Sequence, residues 1–335
     1  MSRDVLIIIA GVIAILILAD LVIRLSERLM RHYGVSGGLA GLTVLSVGAS
    51  LFEISTHVIG SLKILRDPDS YGALSAILIG SNIGSDLFQQ NLLLPAIALV
   101  ATLTIPRKKV WSEVGGLIAA AVLFWFLCLD GRLTRADGAA LVLLYAAYLF
   151  YLGRIEELDR KRFARQPLAR PRLLALHVAI VVGFALIAMF AGPVLDAATR
   201  VVGTLPISGS FFGVAVLGIA AAMPELSTAI AALRRGETDM AGGILIGSNV
   251  TNPMLAAGLG AMISTYGVPA VVTLLDLPIK IATGVLIYWA FWSNGRMHRV
   301  IAWTLIVTFF AYLQVRLVWF PLDQPIVEQV TAGDS

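Results

Sequence analysis

The chain has 335 residues, 58% of them hydrophobic and only 14% charged, with a mean hydropathy of +0.88. Soluble domains carry about 25% charged residues, so a water-soluble globular enzyme is excluded, and the apolar content excludes intrinsic disorder. The net charge of +4 sits in short basic segments between apolar runs, which is the pattern of membrane topology and not of nucleic-acid binding. The single cysteine, Cys128, excludes an intrachain disulfide and any CxxC zinc site.

In chain order, apolar segments long enough to cross a bilayer as helices are predicted at roughly 4–23, 37–62, 71–104, 110–129, 136–152, 172–191, 206–233, 239–265, 268–292 and 299–320. The first lacks a small-residue cleavage site and is read as a retained span. The third carries Asn91 and Pro95, where a break or kink is expected. The fold class is therefore an all-α polytopic membrane protein of about ten transmembrane helices. It divides into a first five-helix half, 1–152, a basic linker, 153–171, a second five-helix half, 172–320, and a loose polar tail, 321–335.

Lys and Arg counts orient the chain. With the segment Gly153 to Arg172 in the cytoplasm, the segments 24–36, 105–110, 153–172, 234–238 and 293–299 hold 17 basic residues. The other side holds seven: Arg3, Lys63, Arg66, Arg132, Arg135, Arg200 and Arg316. Lys280 lies within a span. Both termini are expected outside the cytoplasm, and the expected residence is the plasma membrane, the inner membrane of a bacterium.

Residues 37–60 and 209–232 resemble each other without gaps. They share Gly37/Gly209, Gly41/Gly213, Val44/Val216, Leu45/Leu217, Ala49/Ala221, Glu53/Glu225, Ser55/Ser227 and Thr56/Thr228. About twenty residues on, the string Ile77-Leu-Ile-Gly-Ser-Asn82 recurs unchanged as Ile244-Leu-Ile-Gly-Ser-Asn249. Five spans separate the copies, an odd number, so the repeats run in opposite directions across the bilayer. Inverted repeats place a binding site near the midplane, at the repeat interface.

A carboxylate at the bilayer centre costs roughly 2.5–3.5 kcal/mol on insertion scales, so each acidic residue in a span needs a partner. Asp20 has Arg24 four residues on, and Asp276 has Lys280 at the same spacing; both are expected to pair along their own helices. Glu53 and Glu225 have no basic residue within a turn. Two carboxylates sharing a dry site require a proton or a cation between them. The alternative is that each is protonated and hydrogen-bonded to a neighbouring helix.

Ser81 and Ser85 share a helix face, as do Ser248 and Asn252, and hard cations such as Ca²⁺ or Na⁺ take about six such oxygens. The same serines would also permit close helix packing. Asp86, about 140° around an ideal helix from Ser81, reaches that site only if the helix is distorted; otherwise it faces a polar pocket with Gln89, Gln90 and Asn91. His57 follows Glu53 by one turn, either as a packing residue or as a proton relay. Transition metals are disfavoured, since only His57 lies near the predicted site.

These motifs resemble the α-repeats of the cation/Ca²⁺ exchanger superfamily, which includes sodium/calcium exchangers and H⁺/Ca²⁺ exchangers. Each repeat there carries a G-T-S-x-P-E-like motif and then a G-S-N-like motif. Here these stand as Gly48-Ala-Ser-Leu-Phe-Glu53 with Gly80-Ser81-Asn82, and Ala220-Ala-Ala-Met-Pro-Glu225 with Gly247-Ser248-Asn249. The resemblance implies two inverted five-helix repeats and alternating access, with the first helix of each half sliding against the core. It implies Glu53 and Glu225 as principal cation ligands, with oxygens from Ser50, Ser81, Ser85, Ser248 and Asn252; Asp86 is a further candidate. Phe52 stands where the family has proline, so a less broken helix is expected there. Ala49, Ala221 and Ala222 replace hydroxyl residues that serve Na⁺ in the sodium-coupled members.

The sequence thus predicts a secondary-active antiporter that exports Ca²⁺ in exchange for Na⁺ or H⁺. It would hold no cofactor, and its partners would be inorganic cations and the lipid bilayer, not nucleic acid. One alternative is an exchanger-like scaffold that moves another cation or serves as a non-transporting sensor or partner subunit. An intramembrane enzyme has little support, because no HExxH, paired-Asp or nucleophile arrangement occurs.

Overall fold

A computed structural model describes residues 2–34, 41–101, 103–105, 107–157, 167–236, 238–320 and 322–323. Ten helical segments account for nearly all of it: α1 (Ser2–Tyr33), α2 (41–66), α3 (Pro68–Val100), α4 (Arg107–Leu127), α5 (Arg135–Glu157), α6 (Arg170–Val202), α7 (Gly209–Arg234), α8 (238–263), α9 (Val272–Asn294) and α10 (Arg299–Trp319). Eight are long and apolar enough to cross a membrane by themselves. The other two, α2 and α8, carry one repeat motif each, and contain π-helical turns at Gly41–Leu45 and Asn252–Ala256.

Helices α1 and α6 run 32 and 33 residues. At 1.5 Å per residue that is about 48 Å, well beyond a hydrocarbon core of about 30 Å, so they tilt or project into the headgroup layer. The sequence-based spans 4–23 and 172–191 fall short because hydropathy ends at the hydrocarbon boundary while helical hydrogen bonding continues through Arg24, Arg28 and Arg31. Asp20 and Arg24 form the expected i,i+4 pair, 2.6 Å apart and largely exposed. α5 and α6 likewise enter the predicted linker, reaching Glu157 and starting at Arg170. Residues 158–166 of the basic linker and most of the tail, together with Gly37 of the repeat alignment, lie outside the described residues.

The pseudo-twofold relation is visible in packing. α1 and α6, the first helices of the two halves, pack along each other on the outside of the bundle. Gly11 of α1 receives Val194, and Gly183 of α6 receives Val22, with a Cβ on either glycine meeting the valine methyl at 2.4 Å. Both glycines and both valines are related by 172 positions, the offset that aligns Gly37 with Gly209.

In the centre, the repeat helices cross between halves: α3 packs on α7 and α8 packs on α2. The glycine of each identical hexamer makes this possible. Gly80 lies against the Ser210 backbone, and Gly247 lies against Leu42 and Ser46. Small residues let helix backbones approach where lipid gives no hydrophobic drive for association. The serines next to these glycines are thereby left free for other use.

Short loop contacts tie the halves at both ends. Arg132–Leu133 pairs antiparallel with Tyr266–Gly267. At the other end Thr104 bridges Arg296, and the Ile105 amide donates to Gly295 O at 3.2 Å.

Candidate functional site

Glu53 and Glu225 are positioned by the same local device. The α-helical pattern of α2 is interrupted at Ser50 (φ −75°, ψ 16°), and that of α7 at Ala222 (φ −79°, ψ −1°). These positions correspond in the repeat, and each is followed three residues later by the glutamate, in the first turn of a new helical segment. Pro224 accompanies the interruption in α7, as its missing N–H requires. The expectation of a less broken helix at Phe52 is corrected: α2 is interrupted at the equivalent residue without a proline. The π-helical turns preceding both interruptions, Gly41–Leu45 and Gly213–Gly218, give the helix a changed register there, and π-turns of this kind mark functional sites.

Both glutamates are fully buried. Ser85 Oγ of α3 donates to Glu53 Oε1 at 2.7 Å, and Gln89 Nε2 donates to Ser85 at 3.0 Å. Asn252 Nδ2 of α8 lies 3.5 Å from Glu53 Oε1 and 2.8 Å from Asp86 Oδ1. Ser50, on the helix of Glu53, reaches across to Glu225 Oε1 at 3.4 Å. Four helices from the two halves therefore converge, α2 and α7 carrying the glutamates and α2, α3 and α8 the side chains that reach them. Asp86 lies in the regular α-helical part of α3 and joins the edge of this cluster through Asn252, without the helix distortion expected to be needed; the π-helical turn of α3 comes after it, at Gln89–Leu93, near the Asn91 and Pro95 where a kink was expected.

Buried side-chain oxygens without a hydrogen-bond partner recur on the repeat segments. Among them are Glu53 Oε2, Glu225 Oε2, Ser81 Oγ, Ser248 Oγ and the side-chain carbonyls of Asn82, Asn249 and Asn252. Natural structures leave few such atoms, and each calls for an explanation. Here every one is a hard oxygen acceptor on the repeat motifs, the donor type that alkali and alkaline-earth cations take. Among the described residues no group of three or more His, Cys, Asp or Glu is placed to hold a metal ion. Asn82 and Asn249 were not singled out from the sequence, although both close the identical hexamers and so carried the signal. The hydroxyls of Thr56 and Thr228 are turned instead to Glu53 O and Pro224 O, at 3.0 and 2.7 Å.

His57 is hydrogen-bonded to residues other than Glu53. Its Nδ1 lies 3.1 Å from Tyr266 Oη and its Nε2 lies 3.4 Å from Asn82 Nδ2, while Tyr266 also contacts Ser61 at 2.6 Å. The expected Asp276–Lys280 pair does not form. Lys280 of α9 is ion-paired with Asp86, both side chains buried. Asp276 pairs instead with Arg316 of α10 at 3.1 Å, also fully buried. Side chains four apart on one helix share a face, but a partner on another helix offers a buried charge more complete desolvated contact. Arg316, counted above among outward loop residues, therefore drops out of the topology count, and that side retains six. Arg316 Nη2 also donates to Ser210 Oγ at 2.6 Å, and Asp323 accepts from the Ser210 amide at 2.9 Å. The beginning of the tail is thus tied at Asp323 to the start of α7, not loose.

The profile of the family described as "Sodium/calcium exchanger protein" matches residues 4–154 and 176–318. Inner membrane protein YrbG of Escherichia coli (strain K12) is 31% identical over 264 residues, covering 76% of this chain and 78% of that protein. Among solved structures, the sodium-calcium exchanger NCX_Mj is similar with a TM-score of 0.63 at 24% identity, covering 94% of this chain and 97% of the other. The H⁺/Ca²⁺ exchanger CAX is similar with a TM-score of 0.75 at 16% identity, covering 93% and 82%. With both halves matched by the profile and the inverted-repeat architecture shared with these exchangers, the chain belongs to the sodium/calcium exchanger family.

Proposed function

We propose that the protein is a secondary-active cation antiporter that exports Ca²⁺ in exchange for Na⁺ or H⁺ by alternating access. Glu53 and Glu225 would supply the principal ligands, and Ser50, Ser81, Ser85, Ser248 and Asn252 further oxygens. The observation that carries this reading is two fully buried carboxylates, one from each repeat, contacted by Ser85, Asn252 and Ser50 and each left with a partnerless oxygen. Without a cation or protons the paired charges are costly in a medium of low dielectric, so only the occupied, compensated site is readily occluded and moved. That requirement couples the two ion flows. Exchanger relatives, including the sodium-calcium exchanger NCX_Mj and the H⁺/Ca²⁺ exchanger CAX, support both counterion choices equally.

The basic segments support a placement in the plasma membrane with both termini outside the cytoplasm, and a division into halves at the 153–171 linker. The test is ⁴⁵Ca²⁺ uptake into proteoliposomes under an imposed Na⁺ gradient or an imposed pH gradient. Uptake is expected under one gradient and lost in Glu53→Gln and Glu225→Gln, which fold normally. Wild-type-like uptake by either variant removes that glutamate from the mechanism. Folded wild-type protein that takes up no Ca²⁺ under either gradient removes calcium antiport.

A further inference from the structure

Asp86 is the third buried carboxylate of the central cluster. It follows Ser85, which bonds Glu53, and it shares the Asn252 amide with Glu53. Its position has no counterpart in the other repeat: the register that aligns the two hexamers sets Asp86 opposite Pro253. Opposite charge reaches it from α9, where the Lys280 ammonium pairs with Asp86 Oδ2. The backbone of α9 at Lys280 is fixed to α3, since Gln90 Nε2 donates both to the Lys280 main-chain carbonyl at 2.7 Å and to Thr283 Oγ1 at 2.6 Å. The residues around the pair carry spare acceptors, the side-chain carbonyls of Gln89, Gln90 and Asn252, none with a hydrogen-bond partner.

We propose that Lys280 is a tethered resident cation of the transport site, occupying at Asp86 the place that a monovalent ion would otherwise take. This rests on the antiporter reading above and deepens it. An ammonium on a side chain resembles a potassium ion in charge and approximate size, but it cannot leave. Glu53, Glu225 and Asp86 carry three formal negative charges when ionised, and Lys280 cancels one. The remainder matches one divalent cation, or two monovalent ones, with no third ion needed. The second buried pair, Asp276–Arg316, is already neutral and alters nothing in that balance. A purely structural salt bridge would equally join α3 to α9. It would not, however, leave a vacancy that a free ion can fill, and there the two roles part.

The test compares the full-length wild type, Lys280→Met and the double variant Lys280→Met/Asp86→Asn, in KCl or in N-methyl-D-glucamine chloride at equal ionic strength. Thermal unfolding in detergent reads ion occupancy without requiring transport. The melting temperature of Lys280→Met is expected to rise saturably with K⁺, by several degrees, while wild type and the double variant respond little. In proteoliposomes, Ca²⁺ exchange by Lys280→Met is expected to rise at least tenfold with K⁺, and that by wild type not to change. Lys280→Met that melts alike in both salts overturns the proposal. So does Lys280→Met that fails to fold at every K⁺ concentration while the double variant folds, because Asp86 then needs the lysine itself and not its charge. If no protein moves Ca²⁺ but the K⁺-dependent melting of Lys280→Met persists, the cation place at Asp86 stands and the calcium antiport reading falls.

Discussion

Substituting Gly80 by alanine tests whether the identical hexamers position the site or only resemble each other. A Cβ at Gly80 would lie 2.2 Å from Ser210 O, 2.8 Å from its Cα and 2.9 Å from its carbonyl carbon. All three are backbone atoms, so no rotamer change relieves the overlap. The nearest is about 0.8 Å inside the closest approach real Cβ atoms keep, and α3 must move away from α7 by a comparable amount, an overpacking cost of roughly 1–3 kcal/mol. Gly247→Ala meets Leu42 O at 2.8 Å and should cost less. Gly72→Ala, at the start of α3, meets nothing within 4 Å and should be neutral or stabilising by about 0.5–1 kcal/mol through helix propensity. Thermal unfolding in detergent should therefore rank the three with Gly80→Ala lowest and Gly72→Ala at or above wild type. Because Ser81 and Asn82 move with the helix, Ca²⁺ exchange by Gly80→Ala should fall tenfold or more at temperatures where the protein remains folded. A melting temperature for Gly80→Ala equal to that of Gly72→Ala would refute the close crossing of the two halves.

Three further outcomes are expected. Arg316→Ala strands the buried Asp276 charge and should cost about 3–5 kcal/mol, whereas Arg316→Met with Asp276→Leu should recover most of that loss; equal melting of the two would show that the pair is not a buried unit. Ser85→Ala removes a 2.7 Å hydrogen bond to a carboxylate and should lower apparent cation affinity about tenfold, while Ser50→Ala, at 3.4 Å, should change it by no more than a few-fold; a ⁴⁵Ca²⁺ concentration series that reverses this order refutes the assigned geometry. Chelating Ca²⁺ in Na⁺-free buffer should lower the melting temperature of wild type, yet leave Glu53→Gln/Glu225→Gln unmoved, because neutral amides have no paired charge to compensate; an equal drop in both places the stabilising cation elsewhere.

The repeat was legible because two glutamate-bearing segments and two identical hexamers recur in one order. The architecture follows from it together with hydropathy. The charge pairs were not legible. Lys280 sits four residues from Asp276 and next to nothing else charged along the chain, and only the crossing of α3 with α9 brings Asp86 to it. Arg316 looked like a loop residue since it stands near the end of its span, where hydropathy alone does not separate a residue facing the headgroups from one folded back onto another helix. The interruption of α2 at Ser50 was also hidden, as proline is a sufficient cause of such a turn and not a necessary one. The Gly11–Val194 and Gly183–Val22 contacts could have been found from the offset of 172, but a lone glycine in an apolar helix carries no mark of what it faces.

The crossing of repeat helices between halves bears on how the chain is made. During synthesis, α2 and α3 enter the membrane with Glu53, Ser81, Asn82, Ser85 and Asp86 already in place, but the helices that cover them, α7 to α9, are encoded up to two hundred residues downstream. At about 5–20 residues per second the first half waits on the order of ten to forty seconds for its cover. Throughout that interval its polar groups have only one another, passing water or lipid headgroups as company. The finished protein is accordingly a clasp closed late, and a chain cut within residues 158–166 should yield halves that are each degraded when made alone and recovered when made together.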